Sequence, residues 1–422
     1  MAPKYKAYKK ISIFIAAIAG AFFIAFIAIP HLLAVSYETK VSKSEAEAEV
    51  VQAPVLPQGA TTTPALSAIT HIPTPKQVKA IYMSACVAST PSLEGRLAGL
   101  IDSTELNAVV IDVKDFSGTI SFPTSNPKLT EVKGPGCTVK DMQALIANLH
   151  KKNIYVIARI TTFQDPYYTK IHPELAIKKK TGEGLWIDTK GLSYIDVGAT
   201  PFWDYIVALA KESYSIGFDE INFDYIRYPA DGAISNADFT WSVDKGQTKS
   251  EALEKFWAYL DTNLHADNIP ISADLFGMTT TANNDMGIGQ VLENALKHFD
   301  FVAPMVYPSH YPTGFNGWSD VNSPSVVGPL IKYVMTSAVT RDKSLALEIA
   351  SSTSSTTVAS GLHSMRVTPS QLRPWLQDEN YPVTYTPDMV RAQIQGEYDA
   401  GLNSWMLWDA NNRYTPSALL QE

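Results

Sequence analysis

Cysteine is nearly absent from this chain of 422 residues: Cys86 and Cys137 are the only two. No Cys-x-x-Cys occurs, which excludes a zinc ribbon and a dithiol redox motif. His-Glu-x-x-His and Gly-x-Ser-x-Gly are also missing, so the zinc peptidase and α/β-hydrolase readings fall away. No dense stripe of lysine and arginine runs through the body, and the formal net charge is −8. A nucleic-acid partner is therefore not expected, and a neutral or basic ligand fits better. An exported location would let the two cysteines pair, but two buried thiols account for them at least as well, and the sequence favours the thiols.

What is present is a large apolar complement. The chain is 45% hydrophobic, 18% charged and 10% aromatic, enough for a sizeable core and too apolar for a disordered body. Residues 1–10, MAPKYKAYKK, carry lysines and no acid, and they precede the uncharged run ISIFIAAIAGAFFIAFIAIPHLLAV over 11–35. That length suits a bilayer crossing, and the basic flank points to a signal anchor with its start in the cytoplasm and the rest outside. Secretion after cleavage near Ala34 is the alternative. Residues 36–75 are rich in Ala, Pro, Ser and Thr without apolar periodicity, and read as a disordered linker.

From 76 to 422 the pattern changes. Apolar runs (KAIYMSACVA, NAVVIDVKD, IYVIARITTF, FDEINFDYIRYP, IPISADLFG, FDFVAPMVYPS, QLRPWLQD, LNSWMLWD) alternate with helical spacing in TVKDMQALIANLHKKN, PFWDYIVALAKESYSIG, SEALEKFWAYLDTNLHAD and PDMVRAQIQGEYDAG. Alternation of this kind makes a parallel sheet, and the number of units predicts a closed (β/α)₈ TIM barrel with insertions. A doubly wound open sheet is the runner-up; no Gly-x-Gly-x-x-Gly follows the first strand, which counts against its dinucleotide-binding form. GIGQVLENAL reads as a helix start rather than a phosphate loop.

Most of these runs end in polar groups. Asp112 and Asp115 end the second, Arg159 the third, Asp224 and Arg227 the fourth, and Asp274 the fifth. Tyr307 and His310 end the sixth, Gln377 the seventh, and Trp408 with Asp409 the eighth. In such a barrel these tips meet at one mouth, where active sites form. Side chains alternate along a strand, so Phe218, Glu220, Asn222 and Asp224 should face inward while Ile221, Phe223 and Tyr225 meet the helices. Glu220 reads as a core acid paired with Arg159 or Arg227, and Asp219 as the end of the preceding helix. Asp224 reads as functional, because Asp274 and Asp112 should approach it from neighbouring strands.

Facing carboxyl groups flanked by aromatics suit glycosidic bond cleavage, in which one acid donates a proton and the other attacks the sugar or activates water. Trp186, Trp203, Trp241, Trp318, Trp405, Trp408, Tyr82, Tyr225 and Tyr307 offer faces for sugar rings, with Trp408 the best placed. The expected catalytic set is Asp224 as nucleophile or base and Asp274 as acid, with Asp112 or Asp115 able to replace Asp274. Arg227 or Arg159 would keep Asp224 ionised. Asp115, Arg159, Asn222, Arg227, Tyr307, His310, Gln377, Trp408 and Asp409 would bind substrate. No metal or cofactor is expected. The partner would be a polysaccharide or oligosaccharide, with the membrane engaged through residues 11–35.

The pieces KAIYMSACVA, ELNAVVIDVKDFSGTISFPT, GFDEINFDYIRYP, PISADLFG, APMVYPSHY, RPWLQD and GLNSWMLWDANNRY resemble a glycosyl-hydrolase barrel family of unknown function, from about Lys79 to Tyr414. The resemblance implies a TIM-type fold and a polysaccharide-processing role, without a settled substrate or catalytic pair. Chitinase-like barrels carry Asp-x-x-Asp-x-Asp-x-Glu on strand four; that pattern meets Asp219, Asn222, Asp224 and Ile226, so the acid position is apolar and substrate-assisted hydrolysis is disfavoured. Amylase-like barrels place an Asp nucleophile on strand four and a proton donor on strand five, which matches Asp224 and Asp274, except that their donor is a longer Glu. A catalytically inactive barrel that holds cell-surface glycan is the alternative function. Deacetylation would need a His/Asp metal set that the sequence does not show.

Overall fold

The computed structural model describes residues 69–132, 134–353 and 371–421. The chain divides at Ser67, and the described residues belong to the second unit. Residues 1–68, which include the apolar run 11–35 and most of the expected linker, lie outside them. Among the described residues no helix is long and apolar enough to cross a membrane.

Eight strands alternate with seven principal helices. The strands are β1 (Lys79–Met83), β2 (Ala108–Lys114), β3 (Tyr155–Thr161), β4 (Glu220–Asp224), β5 (Ile271–Phe276), β6 (Phe301–Met305), β7 (Trp375–Gln377) and β8 (Trp405–Trp408). The helices are α1 (Pro91–Asp102), α2 (Met142–His150), α3 (Thr200–Ser215), α4 (Lys249–His265), α5 (Leu292–His298), α6 (Val327–Thr353) and α7 (Pro387–Asp399). Each strand pairs in parallel with the next and β8 pairs back onto β1, which closes the barrel. A parallel strand covered by helices is buried on both faces, which is why AVVIDVK of β2 is buried throughout. All eight expected runs form these strands, and the four quoted helical segments form α2, α3, α4 and α7. The 27-residue helix α6 was not among the helical segments read from the sequence.

Alternation splits the apolar residues into two layers. Ile81, Val109, Ile111, Val156, Ile160, Ile221 and Phe223 pack outward under the helices, whereas Ala80, Tyr82, Val110, Tyr155, Ile157, Ala303, Trp375 and Met406 fill the interior. Helix starts are fixed by side chains: Thr248 and Glu251 form a reciprocal capping box on α4, and Asp141 accepts from the Ala144 amide on α2.

At the amino-terminal end of the barrel, the floor, buried charge is used for structure. Glu220 pairs with Arg373 and accepts from the Tyr155 hydroxyl at 3.0 Å, so it is a core acid, but its partner is neither Arg159 nor Arg227. Asp219 accepts from the amides of Val156 (2.8 Å) and Ile72 (2.6 Å) and lies 2.9 Å from His150 Nε2. It does more than end a helix, because it ties the chain before β1 to the floor. His71 stacks on Tyr214 with ring centroids 3.9 Å apart, and Ile72 packs on the interior cluster. Residues 69–75, read as linker in the sequence, are thus a strap across the floor.

Three further expectations change. Phe218 precedes the strand and joins the outer layer instead of facing inward. Tyr225 leaves the strand with φ +50°, so strand alternation no longer governs it and its side chain reaches the mouth. Cys86 and Cys137 are joined in a disulfide rather than being free buried thiols; neither is buried, so no apolar pocket shields a thiol.

Candidate active site

The mouth is organised by one guanidinium. Arg159 is an inward residue of β3, in register with Asp112 on β2 and Asn222 on β4. Nη1 donates to Asp112 Oδ1 at 2.6 Å, Nη2 to Asp224 Oδ2 at 2.5 Å, and Nε lies 4.0 Å from Asp274 Oδ2. All four side chains are buried, so their interactions are little screened by water. The guanidinium carbon sits 5.6 Å from the Tyr82 ring centroid and 5.4 Å from that of Trp408. Three acids around one base cannot all ionise without a surplus of negative charge, so a proton is expected among them.

The hydrogen bonds show which acid holds it. Asp112 accepts from the Tyr82 hydroxyl at 2.5 Å and from Arg159; burial nevertheless raises its pKa above the ordinary carboxyl value. Asp274 has weaker compensation. Its Oδ1 accepts from Asn222 Nδ2 at 2.9 Å and Trp375 Nε1 at 2.8 Å. Burial first, and the Asp224 charge second, push its pKa up to about 8 against the pull of Arg159. With Oδ1 committed to two N–H donors, the proton belongs on Oδ2. Asp224 is anchored by Arg159 on one oxygen and by the Tyr225 amide at 2.6 Å on the other, a contact that the left-handed turn at Tyr225 creates.

Asp224 and Asp274 line the same cavity of about 240 Å³. Arg159, Arg227, Tyr307, His310 and Trp408 line it as well, together with Tyr225, Phe276, Met305 and Trp375, which sequence reasoning did not place there. Alternation could have found two of them: Phe276 shares a face with Asp274, and Trp375 with Gln377. Trp408 stacks on Tyr82 at 4.4 Å and meets Trp375 edge-on at 5.8 Å, forming an aromatic wall. The Tyr307 hydroxyl has no hydrogen-bond partner among the described residues. A larger groove of about 840 Å³ lies between α6 and α7 on the outer wall, but Asp399 is the only acid lining it, so it offers no carboxyl pair.

Other expected site residues do not line the cavity. Asp112 lies behind Arg159, and Asn222 orients Asp274 while also donating to Ser272 Oγ at 3.1 Å. Asp115 accepts from the Ser117 amide and hydroxyl in a turn. Gln377 accepts from the Ser309 amide and donates to the Glu379 carbonyl, tying two rim loops. Asp409 accepts from the Asn411 amide. Arg227 does not pair with Asp224; among the described residues Arg159 alone does.

Residues 80–414 match a family model described as "putative glycosyl hydrolase domain". The chain belongs to this family. The mouth of a glycosyl-hydrolase barrel is thus where Asp224 and Asp274 stand. Among solved structures, the chain is similar to a hypothetical protein from Ruminiclostridium thermocellum ATCC 27405, at 29% identity over 49% of this chain and 98% of that one, with a TM-score of 0.42. It is also similar to the PgaB (BpsB) glycoside hydrolase domain from Bordetella bronchiseptica, at 14% identity over 80% and 95% of the two chains and a TM-score of 0.55. The second likeness is one of fold. No curated protein matches the chain.

Proposed function

We propose that the family barrel in this chain hydrolyses a glycosidic bond in a polysaccharide, with Asp224 as nucleophile or base and Asp274 as the acid. The observation that carries this reading is the shared guanidinium: Asp224 is held on Arg159 while Asp274, in the same cavity, has its pKa raised to about 8. An acid kept protonated by burial, sharing a cavity with a second carboxyl group, offers the division of labour that glycoside hydrolysis requires. Asp274 Oδ2 would protonate the leaving oxygen. Trp408 would carry a sugar ring on its face, and Tyr307 and His310 would take hydroxyls.

The domain is proposed to act outside the cytoplasm. The basic segment 1–10 and the apolar run 11–35 support a signal anchor, with secretion after cleavage as the alternative. The Cys86–Cys137 disulfide is the kind of bond that oxidising compartments sustain. One observation favours the inactive-barrel reading instead: Asp112 and Asp224 are both engaged by Arg159. Incubating the full-length chain with bacterial surface polysaccharides and measuring released reducing ends separates the two. Turnover that Asp224→Asn abolishes supports the hydrolase, and binding without turnover supports the inactive barrel.

A further inference from the structure

Arg227 lines the cavity yet stands outside the ion-pair cluster: among the described residues it forms no ion pair. Among the described residues its side chain makes one hydrogen bond, from Nη1 to the Tyr228 carbonyl at 3.0 Å, and its guanidinium carbon lies 5.0 Å from the Tyr225 ring centroid. Tyr225 holds φ +50°, a conformation uncommon for a non-glycine residue, and its amide is fixed on Asp224. The turn that anchors Asp224 therefore also lays down an aromatic base for Arg227. A half-buried guanidinium, braced on a ring and with donors left over, is organised to receive an external anion rather than to stabilise the fold.

The charge around Arg227 is mixed, since Asp188 and Asp231 act on the Tyr194 ring as Arg227 does, yet among the described residues none of these acids comes within ion-pair distance of the guanidinium. His310 lines the cavity, and its ring has no hydrogen-bond partner among the described residues. Burial, and the Lys190 ammonium nearby, hold its pKa below the ordinary value although part of the ring is open to solvent. The acids of the mouth are gathered instead around Arg159. The cavity thus holds, beside Asp224 and Asp274, a cation in Arg227 that has no ion-pair partner among the described residues, although the chain as a whole is acidic.

We infer that the sugar held on the Arg227 side of the mouth carries a carboxylate, as a hexuronic acid residue does, and that Arg227 determines this specificity. The inference deepens the reading of the mouth as a glycan site and rests on it. A planar guanidinium can take both oxygens of a ring carboxylate, and a neutral sugar of the same shape forfeits that pair, a loss of about tenfold or more in affinity.

The test uses the full-length chain on immobilised oligosaccharides containing glucuronic acid, each beside its own carboxyl-reduced neutral form. Acidic members are expected to bind about tenfold more tightly than their reduced twins, with the preference weakening as salt rises. Arg227→Gln should bring the ratio close to one. Equal binding of the twins, preference for the neutral or an amine-bearing glycan, no binding to any acidic member, or an unchanged ratio in Arg227→Gln would each overturn the inference. Released reducing ends are measured on the same set. Cleavage of neutral glycans alone would refute the acidic-sugar specificity and keep the hydrolase, whereas acid-selective, Arg227-dependent binding without cleavage would keep the specificity and refute the hydrolase.

Discussion

Replacing Asp224 by Asn should loosen the proton on Asp274. In the native mouth Asp274 is out of water and beside the Asp224 charge, and together these carry its pKa from 3.8 to about 8 against Arg159. That displacement is on the order of 5 kcal/mol. At the roughly 5–9 Å typical of glycosidase carboxyl pairs and an effective dielectric near 20, two like charges repel by about 2–3 kcal/mol, or about two pKa units. The substitution also frees part of the Arg159 charge to act on Asp274, so both changes lower its pKa. Carboxyl carbon NMR, with the Asp274 resonance assigned by its loss in Asp274→Asn, should therefore show titration about two units lower in Asp224→Asn. The same proton governs two other quantities. Turnover should fall above about pH 8, where the donor ionises. Because the folded pKa lies above the unfolded one, Asp274 is harmless to stability below about pH 4 and increasingly unfavourable up to about pH 8, so Asp274→Asn should gain stability across that window. A native Asp274 that titrates in the ordinary carboxyl range, or one unmoved by Asp224→Asn, would remove the basis for its role as donor.

Glu397 is fully buried, neither carboxyl oxygen has a hydrogen-bond partner among the described residues, and burial raises its pKa well above the usual value. Glu397→Met should stabilise the fold by about 2 kcal/mol in urea at pH 8 and by little at pH 4, since only the unfolded chain ionises the acid readily; an equal gain at both would contradict this. At the end of α4, burial opposes the charged form of His265, but Asp261 and Asp300 outweigh it and raise its pKa to about 9. Its contribution is present below about pH 6.5 and lost as pH rises through 9, so His265→Gln should lose about 1–2 kcal/mol at pH 6 after allowing for partial screening, and almost nothing at pH 10. A chain starting at Lys76 should be about 2–3 kcal/mol less stable than one starting at Ser67, because it lacks the Ile72 bond to Asp219 and the His71 stack on Tyr214; matched denaturation midpoints would show the strap to be idle.

The wall of the barrel was readable because strand period and polar tips are local properties. FDEINFDYIRYP announces a buried strand with charge inside, and the mouth residues Arg159, Asp224, Asp274, Tyr307, His310 and Trp408 follow from their places at strand ends. Partners were not readable, since period fixes a face but not what stands across it. Glu220 meets Arg373 from 153 positions away, and Arg159 rather than the nearer Arg227 engages Asp224. Trp375 escaped because β7 is only three residues long and its alternation hardly shows. Asp115 looked like a strand tip, but the strand ends at Lys114 and Asp115 spends its carboxyl group on the turn at Ser117. Helix α6 was missed, and the disulfide links cysteines 51 positions apart that nothing local brings together.

The strap at the floor decides how tension reaches this molecule. A pull on the strap is received by Asp219, which holds the Ile72 amide, directly precedes β4 and also holds the Val156 amide of β3, so the load passes into these two strands. Asp224 and Arg159 stand at the far ends of those same two strands, and a close-packed interior passes strain along them, so the strap is coupled to the mouth.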